Sequence, residues 1–416
     1  MAVFDRSTPV LVVRCSRPGG LAVTRTLGRL GVPVFHLDAH RTAPAFHSRY
    51  SHGRFHWDIE AHSPQESLGF LAGVAETIGR RAILIPTSDG TAVFAARYTA
   101  ALEERFELCG PAVESAEALI DKRRMQALAS AAGIPTARTT FPASLAEALG
   151  DLDEIRAPVL FKGVTARSLA PRGGRRMFLA ASREQLVALY RTHRPGERDL
   201  MLQEYIPGGE DGNWMFNGYF DRAGQCRIGL TGRKLRQYPA YCGLTSFGVA
   251  ADNPTVRGLA VNFLTGIGYR GPVDMDFRFD RRDGAYKLLD VNPRMGATFR
   301  LFVDGNGNDV LRAMYLDMTG QDIRAAAPCY GRKLLIEDCD LVSSARYFVD
   351  GRLGLWEWFR SLRGVDERGI FAADDPVPAF WTALRNLGTL CRKTVTAGAR
   401  AQNAGARAPS ITHTGV

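Results

Sequence analysis

The stretch "YKLLDVNPRMGATFR", Tyr286 to Arg300, decides how the middle of this 416-residue chain is read. Lys287, Leu288 and Leu289 lead into an apolar strand, and Pro293 cuts that strand short. Asp290, Asn292 and Arg294 fall at alternate positions. Alternate residues of a strand share a face. An acid, an amide and a guanidinium therefore project together while Val291 turns into the core.

The preceding segment, "GPVDMDFRFD" (271–280), puts Asp274 and Asp276 on one face and Met275, Phe277 and Phe279 on the other. The link "RRDGAYK" reads as a hairpin. A two-residue Asp283-Gly284 turn would set Asp276 against Val291 and split the acids between faces. A three-residue loop of Arg282, Asp283 and a left-handed Gly284, or its five-residue equivalent, sets Asp276 opposite Asp290 and Asp274 opposite Asn292. We expect that odd-numbered loop. It gathers three carboxylates and an amide, a cluster that calls for a counter-charge. Oxygen-only ligands suit Mg²⁺, which keeps waters and is completed by substrate phosphates. Asp280 and Asp283 read as solvated surface acids, whereas Asp276 and Asp290 have strongly apolar neighbours.

The composition, 45% hydrophobic and 23% charged, is that of a globular chain too long for one ordinary core. No apolar run approaches the ~20 residues of a membrane helix. The start "MAVFDRSTPVLVV" carries Asp5 early and no small-residue cleavage site, so no secretory signal is expected. The seven Cys are scattered without a CxxC, which argues against a zinc site or a disulfide framework and for a reducing cytosol. A net charge of +10 suits an anionic ligand such as a nucleotide phosphate. No lysine-rich run with interleaved aromatics is present, so nucleic acid is not an expected partner.

Along the first 115 residues strand and helix alternate: strands at 9–14, 32–38 and 82–89, and a helix over 18–31. This is a βαβ layout with a parallel sheet. Asp38 invites a dinucleotide reading, but only Gly19-Gly20 follows the first strand, not G-x-G-x-x-G. "SAEALIDKRRMQALASAAGIP" predicts one helix, capped by Ser115 and stopped at Gly133-Ile134-Pro135. "APVLFKGV" (157–164) is a strand, followed by a basic Gly-pair loop with Arg167, Arg172, Arg175 and Arg176. Further strands are expected near 200–221, 226–234, 273–279 and 286–291, and a helix over 307–319. The Ala/Gly-rich end reads as disordered.

Asp276 followed fourteen residues later by "DVNPR" resembles the metal-binding pair of the ATP-grasp superfamily, whose second element is usually E-x-N-P-R. Asp290 stands here in place of the usual Glu. Lys122 in "IDKRRM" and Lys162 in "APVLFKG" look like the two lysines of that superfamily. "QEYIPGGE" looks like its hinge, in which the backbone of Gln203, Glu204, Tyr205 and Ile206 reads adenine and Glu210 binds the ribose hydroxyls. The resemblance runs from about Val10 to Gln321. It implies mixed α/β and α+β architecture, a βαβ pre-ATP-grasp domain followed by a two-lobed ATP-grasp fold. The expected divisions are 1–115 for the first domain and 116–200 for the small lobe. The large lobe would span 201–325, a C-terminal α/β extension 326–395 and a tail 396–416.

The resemblance implies ATP and Mg²⁺, or Mn²⁺ in its place, with the metal on Asp276, Asp290 and Asn292. Two lysines on separate elements suit the two sides of a triphosphate. The implied reaction joins a carboxylate to an amine. The carboxylate attacks the γ-phosphorus, ADP leaves, and the amine displaces phosphate from the acyl phosphate. Arg294 is the candidate stabiliser of the transferred phosphoryl group. Lys234 and Arg236, in "TGRKLRQYPAYCGLTSFG" (231–248), belong either to a mobile loop near that group or to a basic hairpin edge. "DVNPRMGATFR" and "GRKLRQYP" also resemble carboxylate–amine ligases, with peptidoglycan-type D-aspartate ligases as relatives. The expected partners are a small carboxylate and a small amine, with no membrane span, a cytoplasmic setting and a homodimer as candidate assembly. Two alternatives stand beside this: a kinase or carboxylating enzyme without an amine acceptor, and a non-catalytic nucleotide-binding regulator. No biotin-acceptor Met-Lys-Met is present.

Two further segments are set aside. "DGNGNDVLRAMY" (304–315) has Asp309 and Tyr315 where a calcium loop needs Gly and Glu, and reads as a helix start capped by Asn308 or Asp309. Six His lie between 36 and 62, in a segment better suited to lining a cleft than to holding a metal.

Overall fold

The computed structural model describes residues 5–164, 177–196 and 199–387. The arginines of the expected phosphate-covering loop and the tail lie outside the described residues. The N-terminal strands are β1 (Val10–Val13), β2 (Val34–Asp38), β3 (Ser51–His56), β4 (Ala82–Pro86) and β5 (Phe106–Glu107). They make one parallel sheet in the order β3-β2-β1-β4-β5. β1 is buried along its whole length, as a parallel strand covered on both faces must be. Helices α1 (Pro18–Gly28), α2 (Pro64–Ile78), α3 (Asp89–Arg97) and α4 (Thr99–Glu103) connect the strands. Ser88 opens α3 by accepting from Thr91 N, which places Asp89 in the first turn.

The histidine-rich segment forms β2, a 3-10 turn and β3 rather than a cleft loop. His36 is buried, its Nε2 2.8 Å from Thr24 Oγ1. His47 stacks on Trp381 and His62 on Trp57. His36 and His62 thus pack within the N-terminal domain, and His47 joins it to the C-terminal segment.

The predicted helix from Ser115 is two helices, α5 (Val113–Ile120) and α6 (Lys122–Ala131). Asp121 breaks it: extended itself, its carboxylate accepts from Arg123 N and Arg124 N at 2.9 and 3.0 Å. That cap makes Lys122 the first helical residue.

A small antiparallel sheet follows, ordered β6-β9-β7-β8, from β6 (Thr139–Thr140), β7 (Val159–Gly163), β8 (Met177–Ala180) and β9 (Leu200–Glu204). Helices α7 (Leu145–Ile155) and α8 (Arg183–His193) pack on it around Phe161 and Leu202. A larger sheet comes next, from β10 (Asn213–Phe220), β11 (Cys226–Tyr238), β12 (Leu244–Ala250), β13 (Gly271–Asp280) and β14 (Ala285–Asn292). Helix α9 (Pro254–Gly266) lies between β12 and β13 in sequence, and α10 (Val310–Met318) starts at Asp309, which caps it. The C-terminal segment adds β15 (Lys333–Leu335) and β16 (Glu367–Arg368), giving the order β14-β13-β10-β11-β12-β15-β16. Helices α11 (Glu337–Val349) and α12 (Leu355–Ser361) stand between these last strands in sequence.

Met275, Phe277, Leu288 and Val291 bury in one cluster with Val256 and Phe263 of α9. Each such side chain contributes roughly 1.5–3 kcal/mol. The N-terminal and C-terminal segments are tied by Arg25 and Asp375, both 1% exposed. Arg25 Nε donates to Asp375 Oδ2 at 3.0 Å, and Ser48 Oγ and Arg49 N donate to the same carboxylate. No helix among the described residues is long and apolar enough to cross a membrane.

Candidate active site

The hairpin β13–β14 has the expected pairing by a different route. Asp276 faces Asp290 and Asp274 faces Asn292. The loop, however, has four residues between the paired Asp280 and Ala285, with Gly284 left-handed at φ 72°. An even loop alone would set Asp290 against Met275, toward the core. A bulge restores the register: Phe277 pairs with Leu288 and Asp276 with Asp290, leaving Leu289 as the extra residue. Asp280 is not a surface acid. It is fully buried, accepting from Arg282 and lying 2.6 Å from Lys287 Nζ.

Asp276 and Asp290 open into a cleft of about 370 Å³ between the two sheets. The small sheet contributes Lys162 and the run Gln203 to Ile206; the large one contributes Lys234, Gln237, Asp276, Asp290 and Asn292. Lys122 reaches in from α6 and Asp89 from α3. Lys234 Nζ donates to Asp276 Oδ2 at 2.7 Å, and Lys122 Nζ donates to Asp290 Oδ1. Lys162 Nζ donates to Gln203 Oε1 at 2.8 Å.

The charges push on one another. Burial, with the nearby Lys122 ammonium, lowers the Lys162 pKa to about 8, against the pull of Asp290. Burial would raise Asp290, but Lys122, Lys162 and Lys234 together hold it below the ordinary carboxylate value. Burial and then the Asp276 charge raise Asp274 to about 6. Asp274 does not pair with Arg278 or Arg270; it accepts from Asn217 Nδ2 at 2.9 Å. A Cβ on Gly296 would come within 2.6 Å of Asp274 Oδ2, so glycine lets the chain fold back over that acid. No three His, Cys, Asp or Glu side chains among the described residues are grouped to hold a metal. The oxygen set facing the cleft is Asp276, Asp290 and the amide of Asn292.

Several expected site residues stand elsewhere. Residues 231–238 are not an edge: β11 lies inside the large sheet, between β10 and β12, and only the turn at 239–243, which lends Tyr241, Cys242 and Gly243 to the cleft, is a loop. Lys234 and Arg236 should share a face, but the pairing shifts between Lys234/Gly248 and Arg236/Phe247, which turns Arg236 away. Its guanidinium binds Asp340 at 2.7 and 3.0 Å and lies over Phe247. Gln237 takes the cleft position in its place. Glu210 accepts from Asn213 Nδ2, Gln237 Nε2 and Tyr347 OH, and its side chain is outside the cleft lining. Along the expected hinge, Tyr205 N donates to Pro158 O, and Ile206 O accepts from Arg278 Nε. Glu204 accepts from Arg138 N and Arg282.

Arg294 is not among the cleft-lining residues but binds two that are. Its Nε donates to Asp89 Oδ1 at 2.7 Å and its Nη2 to Asn292 Oδ1 at 3.1 Å. Sequence reading missed Asp89 and Gln237. "TSDG" (87–90) carried a signal for Asp89, since a Ser cap followed by an acid at a parallel strand's carboxyl end is where such sheets bind ligands.

No protein-family model matches the chain. Among curated proteins, the D-aspartate ligase of Enterococcus faecium is 26% identical over 245 residues, 56% of this chain. The match spans 58% of that relative's length. Solved structures give longer matches. The biotin carboxylase domain of the Hydrogenobacter thermophilus 2-oxoglutarate carboxylase has a TM-score of 0.59 at 19% identity, over 79% of this chain and 74% of that one. N5-carboxyaminoimidazole synthetase from Staphylococcus aureus, complexed with ADP, has 0.59 at 11%, over 79% and 82%. L-amino acid ligase from Bacillus licheniformis has 0.57 at 13%, over 76% and 75%. At these identities the likeness is one of fold.

Proposed function

We propose that this chain, which has the ATP-grasp fold, is an ATP-dependent ligase that joins a carboxylate to an amine through an acyl phosphate. One observation carries the reading. Two facing carboxylates, Asp276 and Asp290, are matched by lysines from two different elements at the wall of a ligand-sized cleft.

Asp276, Asp290 and the Asn292 amide fit Mg²⁺, because the set is all oxygen and the site already strains to hold its negative charge: burial, then the Asp276 charge, raises Asp274 beside it. A bound Mg²⁺, or Mn²⁺ in its place, would neutralise charge on the terminal phosphates. Lys122, Lys162 and Lys234 hold phosphate oxygens of ATP, releasing their present partners as they do so. The run Gln203 to Ile206 positions the adenine. A substrate carboxylate oxygen attacks the γ-phosphorus and ADP leaves. The amine nitrogen then attacks the acyl carbon, phosphate leaves and the nitrogen loses its proton. Arg294, oriented by Asp89 and Asn292, supplies a fixed cation to the transferred phosphoryl group. The names of the E. faecium and B. licheniformis relatives support an amine acceptor. The same reading sets the enzyme in the cytosol as a candidate homodimer.

The test is to screen carboxylate and amine pools for nucleotide turnover and separate the spent nucleotide by chromatography. ADP and phosphate are expected, with a hydroxamate when hydroxylamine replaces the amine. AMP as the main product would end the acyl-phosphate reading.

A further inference from the structure

The segment "RLGLWEWFRSLR" (352–363) contains α12, in which no residue is buried. Yet Leu355, Trp356, Trp358 and Phe359 are four of its seven residues. Trp358 is anchored inward, its Nε1 donating to Asp340 Oδ2 of α11 at 3.1 Å. Leu355, Trp356 and Phe359 face outward, with Trp356 65% exposed.

A helical segment at 377–387 repeats the pattern. Its inner face is occupied: Trp381 stacks on His47 at 4.0 Å, Thr382 is buried, and Asn386 Nδ2 donates to Asp338 Oδ2 at 2.9 Å. Val377, Phe380, Leu384 and Leu387 lie on its outer face and are exposed. Their spacing of three, four and three residues is that of an apolar helical stripe. On α11, Leu341 and Val349 are exposed as well. The bonds to Asp338 and Asp340 set both other segments against this helix. Exposed apolar side chains on three neighbouring helices mark candidate interaction surface.

Within 352–363 arginine outnumbers acid three to one. Arg352, Arg360 and Arg363 are exposed, and Glu357 is the only acid within 352–363. The Arg363 guanidinium lies 6.0 Å from the Trp356 ring centroid. Beyond residue 387 the sequence holds Arg392, Lys393, Arg400 and Arg407 and no acid.

We propose that this C-terminal face docks the protein on an anionic lipid bilayer surface. Aromatic rings enter the headgroup boundary while arginines meet anionic headgroups, and the two signals together give peripheral attachment that neither gives alone. A second copy of the chain fits this face less well. A twofold contact would bring arginine against arginine with little acid to offset it.

Co-sedimentation of the full chain with vesicles tests this. Binding is expected to phosphatidylcholine–phosphatidylglycerol vesicles and not to phosphatidylcholine alone, and to weaken with salt. The double variants Trp356→Ser/Phe359→Ser and Arg360→Glu/Arg363→Glu should each lose about tenfold or more in vesicle affinity. Both should keep the parent's ATP affinity and melting temperature, which guards against misfolding. Arg191→Glu, an exposed charge on α8, should change nothing. Equal binding to neutral vesicles, unchanged affinity in the Trp/Phe variant, or an equal loss with Arg191→Glu would overturn the proposal. So would a parent dimer that ignores vesicles and dissociates in the Trp/Phe variant, since a second copy would then own the face.

Discussion

Asp276 and Asp290 face each other across neighbouring strands, yet each is neutralised by a lysine of its own: Lys234 from β11 and Lys122 from α6. The ion pairs therefore knit four elements, β11, β13, β14 and α6, together at the point where phosphate would enter. Whatever displaces one lysine frees a carboxylate at the same moment.

Asp290→Asn should test the metal assignment most directly. It keeps the side chain's size and the strand, removes one charged oxygen donor and leaves Lys122 without a carboxylate. Mg²⁺-dependent ADP release should fall roughly a hundredfold or more, with melting little changed. Turnover at the parent level, titrated against Mg²⁺, would remove the assignment.

ATP affinity should depend on pH through Lys162. Its pKa is lowered to about 8 in the free protein, and phosphate favours the charged form. Binding must therefore take up a proton once pH exceeds 8, and affinity should fall by up to about tenfold per unit above that. Calorimetry in buffers of different ionisation enthalpy measures the uptake. Lys162→Arg, always charged, should flatten the profile.

Asp274→Asn should stabilise the metal-free protein. Burial and the Asp276 charge raise the Asp274 carboxyl to about 6 in the fold, above its ordinary 3.8 in the unfolded chain. Between those values the folded state holds the extra proton, so stability falls as pH rises through the window and stays lower above it. The asparagine variant should gain roughly 1–3 kcal/mol at pH 7 and lose that dependence. Urea midpoints at pH 4.5 and 7.5 decide it, and identical shifts at both would contradict the account.

Lys234 and Arg236 should separate cleanly. Lys234→Ala removes a cleft cation and should abolish turnover with a small effect on melting. Asp340→Ala leaves the Arg236 guanidinium buried without its partner, at a cost of about 3–5 kcal/mol, while folded molecules retain ATP affinity. The opposite pattern in paired melting and binding measurements would exchange their roles.

Much of this site was readable because its chemistry lies in strands, where a two-residue period fixes the face. Asp276, Asp290 and Asn292 follow from that rule, and so do the core positions of Met275, Phe277 and Val291. The failures are bulges and partners. Nothing in "RRDGAYKLLD" announces that Leu289 is extra, and the expected odd loop reached the right pairing by compensation. The shift between Lys234 and Arg236 reverses a face for the same reason. Asp121 does carry a capping signal, but it was hidden inside a continuous helical pattern. Arg236 was misplaced because its partner, Asp340, lies far away in sequence, and Tyr347 on Glu210 was hidden in the same way. Asp280 is satisfied nearby, by Arg282 and Lys287 of its own hairpin, where the fold-back that buries it is not written in the local pattern.

The pair that joins Arg25 to Asp375 also has a consequence in time. The two residues are 350 positions apart, and ribosomes add roughly 5–20 residues per second. Arg25 is thus synthesised something like 20 to 70 s before its carboxylate exists. Through that interval the first domain can assemble its parallel sheet, but it must keep one guanidinium wet. Its last packing step waits until Asp375 has been made, and nascent chains released before then would carry an open seam where that carboxylate should close it.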